Sequence, residues 1–184
     1  MSKDARLWIG LFSGINVGGN NKLPMKELVK VMEAEGLKDV KTYIASGNVL
    51  FRSDLDEKVL EGLIGGLVQT HFGFRPSVFV ITLKHLEKLL AENPYRDAEH
   101  KGKAQHFFFL KAPASKVDND KLESLKADSE AYHLTDEVFY FYAPEGVGQS
   151  KLIEKLGQAI KADMTARNLN TVETLRDMAT EMGN

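Results

Sequence analysis

Residues 41–52 read Lys41-Thr42-Tyr43-Ile44-Ala45-Ser46-Gly47-Asn48-Val49-Leu50-Phe51-Arg52. Two short runs, Lys41–Ala45 and Val49–Arg52, are rich in β-branched and aromatic residues. A Gly-Asn pair stands between them, which predicts a β-hairpin. Before it, Pro24 suits a first helical residue, with Met25, Leu28, Val29 and Met32 on one face. Earlier still, Arg6–Phe12 has strand composition. After the hairpin, Val59, Leu60, Leu63, Ile64, Leu67 and Val68 make a helical stripe, and Ser77–Thr82 returns to strand. The order over residues 6–82 is strand, helix, strand, strand, helix, strand. That is the ferredoxin-like split βαβ order, an antiparallel sheet with both helices on one face. Gly62, Gly65 and Gly66 weaken the second helix or admit another backbone close to it.

The same plan recurs further on. Gln105–Lys111 and Val138–Ala143 read as strands, with a weaker one at Glu130–Thr135. Leu122 and Leu125 mark a short helix, and Leu152, Ile153, Leu156 and Ile160 a longer one. The second unit thus looks like the first without its last strand. A further helix carries Leu83, Leu86, Leu89 and Leu90 and stops at Asn93-Pro94. Val172, Leu175, Met178, Ala179 and Met182 mark the last helix. The polar stretch Glu92–Lys103 is the expected joint. The expectation is two α+β subdomains, residues 1–92 and 93–184, the second with an extra C-terminal helix. Mainly antiparallel sheets would carry helices on one face.

Composition narrows the function. The chain has 184 residues, 43% hydrophobic and 27% charged, with 24 Lys and Arg against 26 Asp and Glu. This excludes a disordered chain and a strongly basic nucleic-acid arm. The absence of cysteine removes disulfides, thiolate metal sites, iron–sulfur clusters and a cysteine nucleophile. Leu7–Phe12 is too short for a signal-peptide core, and no apolar run nears the roughly 20 residues that span a bilayer. A cytoplasmic protein with no membrane partner is expected.

Four segments have the composition of a site. Gly14-Ile15-Asn16-Val17-Gly18-Gly19-Asn20-Asn21-Lys22 lies between strand and helix, where backbone N–H groups can face an anion. Asn20 and Asn21 stand where a P-loop needs Lys and Ser or Thr, so it is not one. Ala45-Ser46-Gly47-Asn48-Val49 is the hairpin turn. Glu145-Gly146-Val147-Gly148-Gln149-Ser150-Lys151 again joins strand to helix, with Ser150 as an N-cap. In Thr165-Ala166-Arg167-Asn168-Leu169-Asn170-Thr171, Asn170 and Glu173 resemble a capping box, and Asn168 suits a left-handed helix end. Arg167 has no such local role, leaving a bidentate anion contact or a surface salt bridge.

Other chemistries lack their signatures. His71, His85, His100, His106 and His133 show no metal-ligand spacing, and no G-x-S-x-G elbow occurs. Asp118/Asp120 and Asp136/Glu137 lie in short polar loops. No nucleophile–base pair is visible, so no catalytic residue and no cofactor is assigned. Phe107-Phe108-Phe109 and Phe139-Tyr140-Phe141-Tyr142 offer stacking faces, but alternation turns half of each run inward and neither fits an RNP1 motif.

Taken together, the four segments resemble the bacterial domain of unknown function 1697 family, in order and spacing, from about Arg6 to about Met178. The resemblance implies two ferredoxin-like subdomains and no established activity. Ser13, Gln149 and Leu169 stand where relatives often carry Arg, Arg and Trp. The favoured reading is a site for a small anionic, phosphate-bearing ligand, such as a nucleotide, built from both glycine-rich loops. Gly18, Gly19 and Gly148 would give backbone donors, Asn16 would orient the ligand, and Ser150 belongs to the same site. Lys22, Lys151 and Arg167 would supply charge. The alternatives are single-stranded nucleic acid on a sheet face and a non-catalytic protein-interaction module.

Overall fold

Strand β1 (Arg6–Ser13) forms because its side chains are apolar on both faces. In a computed structural model describing residues 5–99 and 102–183, it sits at the centre of a four-stranded sheet. The N-terminal residues Met1–Asp4, together with His100 and Lys101 of the expected joint, lie outside the described residues. After β1 come α1 (Met25–Ala34), β2 (Lys38–Tyr43), β3 (Asn48–Ser53), α2 (Glu57–Phe72) and β4 (Ser77–Ile81). The sheet order is β2-β3-β1-β4, with every neighbouring pair antiparallel. Each helix therefore connects two strands that have a third between them.

Register explains the core. Trp8 faces Phe51, and Phe12 faces Val78. These side chains, with Val49 and Val80, pack on Leu28 and Met32 of α1 and on Leu60, Ile64 and Val68 of α2. The opposite face, with Ile9, Leu11, Leu50 and Phe79, is buried too. Arg52 points to that second face and donates to the carbonyl of Met182, near the end of the last helix. The glycines of α2 do not break it. The Arg75 side chain lies against Gly65 and Gly66 and donates to the Gly62 carbonyl at 3.2 Å. A guanidinium, not a backbone, takes the space they leave.

Several boundaries shift. Pro24 is the N-cap rather than the first helical residue. β2 starts and stops earlier than composition predicts, with an irregularity between Lys38 and Lys41 where Asp39 adopts φ 52°. Tyr43 pairs with Asn48, so the loop is Ile44–Gly47 and Asn48 belongs to β3.

Beyond α3 (Leu83–Ala91) lie β5 (Gln105–Leu110), β6 (Lys116–Val117), α4 (Asn119–Leu125), β7 (Ala131–Leu134) and β8 (Val138–Tyr142). Then come α5 (Lys151–Glu154), α6 (Leu156–Ala159), β9 (Ile160–Lys161), β10 (Met164–Asn168) and α7 (Leu169–Gly183). The second sheet has the order β10-β5-β8-β7, again antiparallel, while β6 and β9 pair separately. The missing last strand exists. It is β10, whose sequence MTARN has little strand composition. It pairs because it runs along the edge of β5, matching Ala166 to Phe108. Asn168 ends no helix. Its Oδ1 accepts from the Thr171 amide at 2.9 Å and starts α7, the part expected of Asn170. The helix expected over 152–160 is interrupted at Lys155, which leaves helical geometry with φ −108° and ψ 13°.

The described residues divide into two compact units. The first runs to Lys88 and takes in Thr174 onward, and the second is Leu89–Glu173. The division falls inside α3 and α7, whereas composition suggested Glu92–Lys103. Polarity in that stretch has another use. Asn93 is buried, its Nδ2 donates to Gln105 Oε1 at 2.8 Å, and Gln105 Nε2 donates to the Tyr95 carbonyl at 2.8 Å. Among the described residues no helix is long and apolar enough to cross a membrane.

Candidate functional site

The loop after β1 is shaped by backbone conformations that few residues adopt. Asn16 and Asn21 have φ 51° and 49°, and Gly14, Gly18 and Gly19 have φ 70°, 57° and 78°. Glycine and asparagine are the residues that tolerate this region. The Asn16 carboxamide is engaged by the protein itself. Its Nδ2 donates to the Leu23 carbonyl at 3.1 Å and to the Ala45 carbonyl at 2.8 Å, and its Oδ1 accepts from the Leu23 amide at 2.8 Å. Asn16 therefore closes its own loop and fastens it to the hairpin turn.

Beneath this bond the fit is tight. Ile15 is buried, and a Cβ at Gly47 would stand 2.5 Å from Ile15 Cδ1 and 2.8 Å from Phe12 Cβ. Gly47 also has φ 86°, so glycine is required twice over. Above the bond the loops face water. Val17 is 67% exposed and Ile44 51%, and Gly18, Gly19 and Lys22 are exposed beside them. Ile44 has φ 50°, an unusual conformation for a β-branched residue. From Gly14 to Lys26 and from Val40 to Ser53 the charged residues are Lys22, Lys26, Lys41 and Arg52, with no Asp or Glu. Arg52 meets Asp39 at 3.4 Å.

The other four predicted residues belong to the second unit. Gly148 is exposed in a short 3-10 turn, and Lys151 is exposed at the start of the four-residue α5. Ser150 is buried, its Oγ accepting from the Ile153 amide at 3.2 Å, so it caps that helix. Arg167 is 7% exposed and donates to Thr165 Oγ1 and to the Ala166 carbonyl, both at 2.8 Å. Burial pushes its guanidinium down to about 10. Arg167 pairs with Phe107 across the sheet, and Phe107 with Tyr140. Val147 and Leu152 instead pack on the Phe108, Phe139 and Phe141 face. Arg167 and the second glycine turn thus address opposite faces of one sheet, because alternate strand residues point opposite ways. The structure joins Asn16 to the loop of Gly18, Gly19 and Lys22. It does not bring Arg167 to Lys151.

Both aromatic runs are internal except for Tyr142, which is half-buried. Phe107, Phe108, Phe109, Phe139, Tyr140 and Phe141 are all buried, so they offer no stacking platform to a strand of nucleic acid. Among the described residues no three His, Asp or Glu side chains group as metal ligands would. His106 has a buried Nδ1 without a hydrogen-bond partner, and burial pushes its pKa down. A hollow of about 600 Å³ is lined by Thr82, Lys84, His85, Glu87 and Lys88. All five come from one continuous stretch, so it is the open side of a helix.

A profile of the family described as Protein of unknown function (DUF1697) matches residues 6–140. The chain belongs to the DUF1697 family. The match takes in Gly14–Lys22 and the hairpin turn; the segments at 146–152 and 165–171 lie beyond it. Among solved structures, the conserved bacterial protein SP0830 from Streptococcus pneumoniae is similar to this DUF1697 protein. The TM-score is 0.74 at 24% identity, over 96% of this chain and 99% of that one. The likeness covers both sheets and shows a shared fold. No curated protein matches the chain.

Proposed function

We propose that this DUF1697 protein binds an anionic ligand on the paired loops Gly14–Lys22 and Ile44–Gly47. The observation that carries this reading is the Asn16 bond to Ala45. It holds in place an exposed surface on which the two loops carry one cation, Lys22, with glycine backbone and no carboxylate of their own. A phosphate or carboxylate group finds there Lys22 and the amides around Gly18 and Gly19. Asn16 organises the loop instead of touching the ligand. Gly148, Ser150, Lys151 and Arg167 are left out, because Ser150 and Arg167 are engaged within their own unit and α5 is only four residues long. The strand orders β2-β3-β1-β4 and β10-β5-β8-β7 support a ferredoxin-like reading of each unit. Lack of cysteine supports a reducing, cytoplasmic setting.

A thermal-shift screen tests the site. The panel holds inorganic phosphate, nucleotides, sugar phosphates and short acidic peptides, against wild type and Lys22→Glu. A ligand at about 100 times its Kd adds roughly 2.7 kcal/mol, which raises Tm by roughly 5–10 °C in a chain of this size. The expected result is a shift that Lys22→Glu abolishes. A shift that survives this substitution places the ligand elsewhere and defeats the assignment.

A further inference from the structure

We infer that a second site, a hollow of about 190 Å³ lined by Asp39, Lys41, Arg52 and Met182, binds a free α-amino acid with a short side chain. All four residues belong to the first compact unit, and none of them lies on the paired loops. Register brings the two cations together. Lys41 pairs with Leu50, and Arg52 stands two residues further along β3, so both side chains lie on one face as diagonal neighbours. Between these pairings β3 advances from Leu50 to Arg52 while β2 runs from Lys41 back to Lys38. The extra residue in β2 makes a bulge, and bulges re-aim side chains. Here Asp39 takes φ 52° and sets its Oδ2 3.4 Å from Arg52 Nε.

Charge selects the occupant. Arg52 also donates through Nη2 to the Met182 carbonyl, which leaves its Nη1 donors for a ligand. Lys41 pairs with no carboxylate among the described residues. An ammonium and a guanidinium lining one hollow suit a carboxylate. The same hollow meets the Asp39 carboxylate and, at Met182, the C-terminal end of α7. There the last carbonyls lack helical partners and the helix dipole is negative, so these groups suit an ammonium. A bare phosphate would be repelled by Asp39, and a simple amine by Lys41 and Arg52. A zwitterion satisfies both signs in one small molecule. Size agrees, since the hollow is smaller than the roughly 300–1,000 Å³ that hold drug-sized ligands. A nucleotide or a peptide is too large for it.

The experiment is isothermal titration calorimetry on the full-length protein with glycine, L-alanine and L-serine. Propionate and ethylamine, which each carry only one of the two charges, are the controls. The amino acids are expected to bind at a single site, and each control at least about tenfold more weakly, as befits the loss of a charge-assisted contact. Asp39→Asn and Lys41→Gln should each weaken alanine binding by at least about tenfold as well. Asparagine tolerates the left-handed backbone at position 39 and Lys41 is exposed, so both variants should keep the wild-type Tm. Propionate binding as tightly as alanine makes the hollow a carboxylate site and overturns the inference. Alanine binding undiminished in either variant overturns it too, as does the absence of binding by all three amino acids at millimolar concentration. If a variant loses Tm, the comparison of alanine with propionate and ethylamine on the wild type decides. Lys22→Glu should leave alanine binding unchanged, so this outcome is independent of the paired loops.

Discussion

Asn16 Nδ2 donates across 2.8 Å to the carbonyl oxygen of Ala45, a residue 29 positions later in the chain. With the two bonds to Leu23, this makes one exposed side chain the fastening between two loops. Asn16→Ala removes all three bonds and leaves a side chain without polar compensation at φ 51°. The expected loss is about 2–3 kcal/mol, read as a lower urea midpoint with faster hydrogen exchange at the Leu23 amide. Asn16→Asp keeps an acceptor for that amide but turns a carboxylate oxygen on the carbonyls of Leu23 and Ala45, so it should lose at least as much. A midpoint unchanged in Asn16→Ala would show that the loops are fastened by something else.

Two glycines with similar backbone angles should respond differently to alanine. Gly14 and Gly47 have φ 70° and 86°, so alanine at either position costs roughly 1–2 kcal/mol for the left-handed conformation. Around Gly14 the space is open, whereas at Gly47 the new Cβ would collide with Ile15 and Phe12. Gly47→Ala is expected to cost about 3 kcal/mol or more in total. Equal midpoints for the two variants would contradict the packing seen under the turn.

Arg167 is expected to serve stability before any ligand. Its side chain is buried and bonded to Thr165 and Ala166. Arg167→Ala should lower stability by roughly 2–4 kcal/mol in denaturant unfolding. Arg167→Met keeps most of the volume and removes a buried charge, so it should lose less. Full stability of the alanine variant, with loss of ligand binding, would return Arg167 to the ligand.

His106 predicts a pH dependence with a definite sign. Burial holds its folded pKa below the ordinary 6.5. The unfolded chain therefore takes up a proton, as pH falls below 6.5, before the folded chain does. Stability is complete above that pH and declines as pH drops towards the folded value. Urea midpoints at pH 7.5 and pH 5 should fall further apart in wild type than in His106→Leu. The same spread in both would assign the acid sensitivity to other groups.

Strands with two buried faces were legible because burial selects Val, Ile, Leu and Phe regardless of partner, as in Trp8–Phe12 and Phe107–Phe109. β10 was not, since an edge strand needs only one paired side and MTARN satisfies that with polar residues. The glycines and asparagines of Gly14–Asn21 were visible as a bend, because their identities reflect backbone angle alone. The target of Asn16 was not visible, since a side-chain amide accepts any well-placed carbonyl. Ser150 was correctly read as a cap because capping is settled within three residues. Arg167 had no local explanation, and its burial follows from Phe107 and Tyr140, residues 60 and 27 positions away.

The sequence alone determined the α+β class, the two-unit order of elements and the positions where the backbone must turn. Each is written in local spacing, side-chain shape and glycine placement, which act over a few residues. Only tertiary structure decided that Asn16 joins two loops, that Arg167 faces inward and that Val17 and Ile44 face water. Those outcomes depend on which strands become neighbours and which face of a strand meets a helix, and such long-range choices are set by packing the whole chain at once.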